Sequence, residues 1–165
     1  AYNVHSGALI WAWDVLQETA HAPLQEGETY PLNTANVWSM MSVDEELGLV
    51  YLPTGNVPPD FFGGYRSPEQ DRYPSSVVAL EAATGNVRWS FQTVHHDIWD
   101  YDVPSQPTFY DIEKDGKIIK ALAQTTKMGF VFLLNRETGE PIFPIEEREV
   151  PQGAVEGDYV TKTQP

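Results

Sequence analysis

Chemistry-bearing side chains are densest in Thr93-Val94-His95-His96-Asp97-Ile98-Trp99-Asp100-Tyr101-Asp102, where two histidines and three aspartates fall within eight residues. Imidazole and carboxylate groups carry protons in enzymes and bind metal ions. Their spacing here departs from zinc patterns such as His-Glu-x-x-His. A solvated acidic loop is the ordinary reading of such a run. The interleaved Ile98, Trp99 and Tyr101 argue instead for an ordered, partly buried loop, in which carboxylates must be paired or put to use. Two further groups stand outside this run. Asn56, in Thr54-Gly55-Asn56, is either a turn residue or an amide oxygen suited to a calcium ion. Lys127, in Thr125-Thr126-Lys127-Met128-Gly129, is a lone cation between two apolar stretches, and a surface lysine is its plain reading.

The elements that must hold these groups come from an internal repeat. Three segments share one register: Ala1 to Trp11, Ala79 to Trp89 and Leu133 to Phe143. Each has an apolar start, a polar third residue, Ser/Thr-Gly at the sixth and seventh places and an aromatic at the eleventh. The pattern predicts a β-hairpin whose glycine takes the positive φ of the turn. An aromatic at one fixed place per unit suggests that each unit docks on the next through it. Strands are expected at 37–43, 49–52, 76–80, 87–91, 118–123 and 130–134, with almost no helical periodicity. The tail 146–165 reads as loop.

The repeat glycines, Gly7, Gly85 and Gly139, lie 78 and 54 residues apart. A propeller blade of four short strands needs roughly 40–50 residues. Long loop insertions are therefore expected near 17–31 and 54–75, and the latter holds four of the 13 prolines. Loops of this length inside a folded domain are often functional. The fold class is thus all-β, a β-propeller of four-stranded antiparallel blades. The chain, residues 1–165, is read as one partial propeller domain, an arc of about three blades. Propellers close with roughly 4–8 blades, so the remaining blades are expected elsewhere in a longer polypeptide.

Bulk properties narrow the partners. The net charge is −14, which argues against nucleic acid and anionic membrane surfaces. It suits a neutral ligand or one bound together with a metal cation, and equally plain solubility. There is no cysteine, which excludes disulfides, thiolate chemistry and Cys-ligated zinc. No apolar run approaches the roughly 18 residues of a transmembrane helix. The first residues lack the charged and apolar regions of a signal peptide.

The repeated Ala-x-Asp-x-x-Thr-Gly-x-x-x-Trp-like unit resembles the tryptophan-docking motif of the pyrroloquinoline quinone (PQQ)-dependent dehydrogenases, eight-bladed quinoprotein propellers. His96-Asp97-Ile98-Trp99-Asp100 is similar to the family's His-Asp-x-Trp-Asp segment. Val150-Pro151-Gln152-Gly153, Gly157-Asp158-Tyr159-Val160 and Thr163-Gln164-Pro165 resemble the membrane glucose dehydrogenase branch. Asn3, Ser6 and Phe143 depart from the repeat pattern. The resemblance implies PQQ as cofactor, with Ca²⁺ or Mg²⁺. It implies Asp100 as the general base and a metal neighbour, and Asn56, 44 residues earlier, as the amide ligand of the metal beside the quinone. Lys127, 27 residues after Asp100, becomes the cation near the quinone oxygens. Trp38, 18 before Asn56, becomes the indole under the cofactor ring, with an ordinary core tryptophan as its plain alternative.

The implied activity is oxidation of a sugar or alcohol hydroxyl, with aldose (glucose) first and quinate or shikimate as the near alternative. Electrons would pass to ubiquinone or a cytochrome, and the setting would be periplasmic. The chain by itself is expected to be inactive. A non-catalytic propeller interaction module and a calcium-binding, lectin-like β protein are the readings from other classes.

Overall fold

The structure, a computed structural model, describes residues 1–22 and 24–165; position 23, within the 17–31 insertion, lies outside them. Every described strand pairing is antiparallel. Strands β1 (Ser42–Asp44), β2 (Leu49–Pro53), β3 (Ser76–Glu81) and β4 (Val87–Gln92) form a sheet in the order β1-β2-β3-β4. Strands β5 (Thr108–Lys114), β6 (Lys117–Thr125) and β7 (Val131–Asn135) form a second sheet, and β8 (Arg148–Glu149) pairs with β9 (Thr163–Gln164).

Local sequence explains the turns. Between β1 and β2 the Asp44 carboxylate accepts the N–H groups of Glu46 and Leu47 at 3.0 Å each, and Gly48 closes the turn at φ 65°. Asp115-Gly116 joins β5 to β6 with φ of 53° and 72°, the two positive values that a tight two-residue hairpin needs. Strand β3 is buried on both faces along Ser76 to Leu80, which suits its unbroken apolar Val-Val-Ala-Leu run.

Each face of the first sheet has its own cover. One face carries Leu49, Tyr51, Val77, Ala79 and Trp89 against Leu122 and Leu134 of the second sheet. The other carries Leu52, Val78 and Leu80 against Tyr73, Trp11 and Trp13. Sheets stacked face to face in chain order are the arrangement of propeller blades.

The repeat makes the joints. Trp11 lies flat on Gly85, so close that a Cβ there would collide with its ring, and its indole N–H donates to the Ala82 carbonyl at 3.2 Å. Trp89 lies on Gly139 in the same way, with 2.6 Å from a Cβ at Gly139 to Cδ2 of the indole. Its N–H donates to the Arg136 carbonyl, again at 3.2 Å. Ala82 and Arg136 each stand three residues before the repeat glycine. The glycine is thus required twice over, for its positive φ of 77° or 78° and for the room it leaves an aromatic ring.

Some elements differ from the sequence expectation. The strand expected over 37–43 begins only at Ser42; just before that stretch, the Asn36 carbonyl accepts Gly55 N–H at 2.8 Å. Strand β5 was not expected, since Thr-Phe-Tyr-Asp-Ile-Glu-Lys is half charged and polar. The tail is not wholly loop, because it contains the β8–β9 pair. The first repeat makes an isolated bridge, Tyr2 with Leu9, rather than full strands, and a second bridge, Ala12 with His21, follows it.

Candidate active site

Strands β2 and β4 run the same way across the first sheet, so their C-terminal ends open on one rim. β2 leads into Thr54-Gly55-Asn56, and β4 leads into residues 93–102. The end of β6 is followed by Thr126 and Lys127, and the contacts of Lys127 bring it to the same rim. The rim is stitched by backbone hydrogen bonds from Thr54 N–H to the Ser76 carbonyl, Thr93 N–H to the Ser75 carbonyl and Val103 N–H to the Thr54 carbonyl, at 2.9, 2.9 and 3.1 Å.

Lys127 reaches two of the three aspartates of the acidic run. Its ammonium donates to the Asp100 carbonyl at 2.8 Å and to Asp102 Oδ2 at 2.7 Å, and lies 3.3 Å from Asp100 Oδ2. Burial works against its charge, but the hydrogen bonds and charges of Asp102 and Asp100 raise the Lys127 ammonium above its ordinary pKa. The other oxygen of Asp102, Oδ1, accepts the backbone N–H of Asn56 at 2.6 Å. Asp102 therefore joins Asn56 to Lys127, a role that sequence reasoning did not assign. Its place inside the acidic run was the only available signal.

Asn56 is 2 % exposed. Its amide Nδ2 donates to the Asp60 carbonyl at 3.0 Å, and its Oδ1 accepts Val57 N–H at 2.8 Å. The side chain is thus fixed in place with one acceptor site of Oδ1 still to fill. Trp38 is 54 % exposed, so within this chain it is not a buried core tryptophan. Its indole edge lies beside Gly55: a Cβ there would stand 3.2 Å from Trp38 Cδ1 and 2.9 Å from Asp102 Oδ1. Glycine is what lets the indole, Asp102 and the Asn56 backbone approach one another.

Asp97 shapes the turn that presents Asp100. Its buried carboxylate accepts the N–H groups of Trp99 and Tyr101 at 2.9 and 2.8 Å and the Ser75 hydroxyl at 2.5 Å. Burial pushes its carboxyl above the usual range against those hydrogen bonds. Within this turn Asp100 takes φ 60°, a left-handed conformation that aspartate tolerates better than most residues. Trp99 and Tyr101 stack on each other at 6.1 Å between ring centres.

The donors present suit a hard cation in kind. Asp100, Asp102 and the Asn56 amide offer oxygen, and two carboxylates against one ammonium leave a local negative charge. Calcium takes roughly six to eight oxygen ligands. Among the described residues no group of three or more His, Cys, Asp or Glu side chains forms a metal cage, so further ligands would have to come from a cofactor or from other segments. A flat exposed indole beside an ammonium and carboxylates likewise fits a planar anionic ring system in kind.

All 165 residues match the family described as "PQQ: Glucose/ethanol/alcohol dehydrogenase, beta-propeller domain". The chain belongs to this family. It is similar to the quinoprotein glucose dehydrogenase of Escherichia coli K12, at 46 % identity over 99 % of the chain and 21 % of that protein. It is equally similar to the glycerol dehydrogenase large subunit of Gluconobacter oxydans, at 46 % identity over 99 % of the chain and 22 % of that protein. Among solved structures it resembles the quinohemoprotein alcohol dehydrogenase ADHIIG of Pseudomonas putida HK5, with a TM-score of 0.61 and 34 % identity over 73 % of this chain and 17 % of that one. The chain thus spans about a fifth of the length of the curated relatives it matches. For a member of this family, the stacked sheets and the tryptophan–glycine joints are pieces of a quinoprotein propeller.

Proposed function

We propose that the polypeptide carrying this chain is a PQQ-dependent dehydrogenase of sugar or alcohol hydroxyls, with an aldose such as glucose as first substrate. The observation that carries the reading is the meeting of Asp100, Lys127 and Asn56 around Asp102 on one rim, beside the exposed Trp38. Oxidising a carbinol requires removal of the hydroxyl proton, and Asp100 is the carboxylate we assign to take it. Lys127 holds the Asp100 backbone and side chain in place, so that this base does not swing on its loop. Asn56 and Asp100 would hold the divalent cation, Lys127 would face the quinone oxygens, and Trp38 would offer its flat face to the ring. When bound, PQQ with Ca²⁺ or Mg²⁺ supplies the two-electron acceptor and a Lewis acid.

Ubiquinone or a cytochrome as electron acceptor, and a periplasmic setting, follow from the family resemblance. Among the described residues no helix is long and apolar enough to cross a membrane. The substrate assignment rests on similarity to the glucose dehydrogenase, and the equal similarity to a glycerol dehydrogenase keeps polyols in the comparison.

The test uses the full-length polypeptide loaded with PQQ and Ca²⁺ in a dye-linked assay over glucose, glycerol, quinate and simple primary alcohols. Turnover that requires PQQ and is fastest with the aldose is the expected result. Faster turnover of glycerol or quinate would reassign the substrate, and turnover that persists without PQQ would overturn the reading.

A further inference from the structure

His96 directly precedes the turn that bears Asp100, yet the chemistry above leaves it without a task. It is buried, with its backbone at φ 45°. Both ring nitrogens face carboxylates. Nδ1 contacts Asp71 Oδ2, and Nε2 lies 2.9 Å from Asp158 Oδ1. Tyr159 stacks on one face of the imidazole at 3.8 Å between ring centres and 17° between planes. Gly63 presses on the ring so closely that any side chain there would collide with it, and its N–H donates to the second oxygen of Asp158 at 2.8 Å. Arg66 completes the cluster, 3.5 Å from Asp71 Oδ1, while donating to the Asp97 carbonyl at 2.7 Å.

Three separate parts of the chain meet here. Gly63, Arg66 and Asp71 come from the 54–75 insertion, His96 from the acidic run and Asp158 with Tyr159 from the tail. The side chains of His96, Asp158 and Arg66 are only 2 %, 1 % and 2 % exposed. Each carboxylate thus holds one ring nitrogen, and Asp71 also faces Arg66, the pairing that buried carboxylates require. Burial alone would raise the Asp158 carboxyl, but the His96 hydrogen bond and the Gly63 and Tyr159 N–H groups hold it below its ordinary value.

We propose that His96 is a positioning residue, an imidazole clamped between Asp71 and Asp158, which ties the insertion and the tail to the turn presenting Asp100. The proposal rests on the assignment of Asp100 as base. Arg66 extends the clamp to the Asp97 carbonyl, three residues before Asp100, so that loosening it displaces the turn that presents the base.

His96→Gln, Asp158→Asn and the double variant are compared in the PQQ- and Ca²⁺-loaded full-length polypeptide, with kcat expressed per bound PQQ. Glutamine carries both of its N–H bonds on one nitrogen and does not span the two carboxylates as the ring nitrogens do. Each single variant is expected to lower kcat per bound PQQ by about 10–100-fold, with KM for the sugar near wild type. The double variant should be no worse than the poorer single, because both break one unit. A purely structural role would reduce the amount of folded, loaded protein and leave kcat per bound PQQ unchanged; that result overturns the proposal, as do losses that multiply in the double variant. If His96→Gln does not accumulate, Asp158→Asn decides by the same criterion. Asp100→Asn is measured alongside: inactivity there with wild-type kcat in the clamp variants refutes the clamp alone, whereas wild-type turnover in Asp100→Asn refutes the base assignment itself.

Discussion

Asp100→Asn is expected to lower kcat in the loaded full-length polypeptide by about 10²–10⁴-fold, with PQQ still bound. Asparagine has nearly the shape of aspartate, and the Lys127 bond to the Asp100 carbonyl at 2.8 Å is a backbone contact that the substitution leaves in place. The turn should also survive, since its N–H groups are held by Asp97 rather than Asp100. What the amide cannot do is accept the hydroxyl proton. The loss should therefore fall on kcat, with the absorbance of bound quinone unchanged. A dye-linked kcat measured beside that absorbance separates the outcomes. Undiminished kcat would move the base elsewhere, and loss of the quinone would make Asp100 a holding group instead.

The second large effect is on stability. Trp89→Ala should destabilise the folded state by about 3–5 kcal/mol, the range for removing a large buried aromatic. Trp89 is 9 % exposed, sits 5.7 Å from the Tyr51 ring, covers Gly139 and donates to the Arg136 carbonyl. Its removal opens the joint between the two main sheets. Gly139→Ala tests the same joint from the other side, because a methyl there meets the indole and sits on a backbone at φ 78°. Urea unfolding followed by tryptophan fluorescence and circular dichroism gives both values. A loss below about 1 kcal/mol for Trp89→Ala would show that the ring is not the joint.

The joints were legible in sequence because they depend on a few residues close together. A Thr-Gly turn and an aromatic four places after the glycine recur as a unit, and their physics (a positive φ, a missing Cβ and a ring that fills the gap) is local. Asp100 and Lys127 were each named, in separate roles, from the family resemblance; their direct contact at one rim was not. The part played by Asp102 was not legible. It depends on the ends of β2 and β6 arriving at one point, which residues 56, 102 and 127 cannot show in a linear chain. The same holds for His96, whose partners lie 25 and 62 residues away.

Strand β5 was missed although Tyr110-Asp111-Ile112-Glu113 alternates apolar and polar, and Asp115-Gly116 after it was a usable hairpin signal. Strand β1, by contrast, was drawn too long. Val37, Trp38, Met40 and Met41 look like strand residues, but Trp38, Met40 and Met41 are exposed on the rim.

A crystal structure of the full-length polypeptide with PQQ and Ca²⁺ tests the central claim most directly. The expected result is a calcium ion about 2.3–2.6 Å from the Asn56 amide oxygen and an Asp100 carboxylate oxygen, with the quinone over Trp38 and Lys127 at its oxygens. A calcium ion and quinone bound without contact to any of these four residues would contradict it.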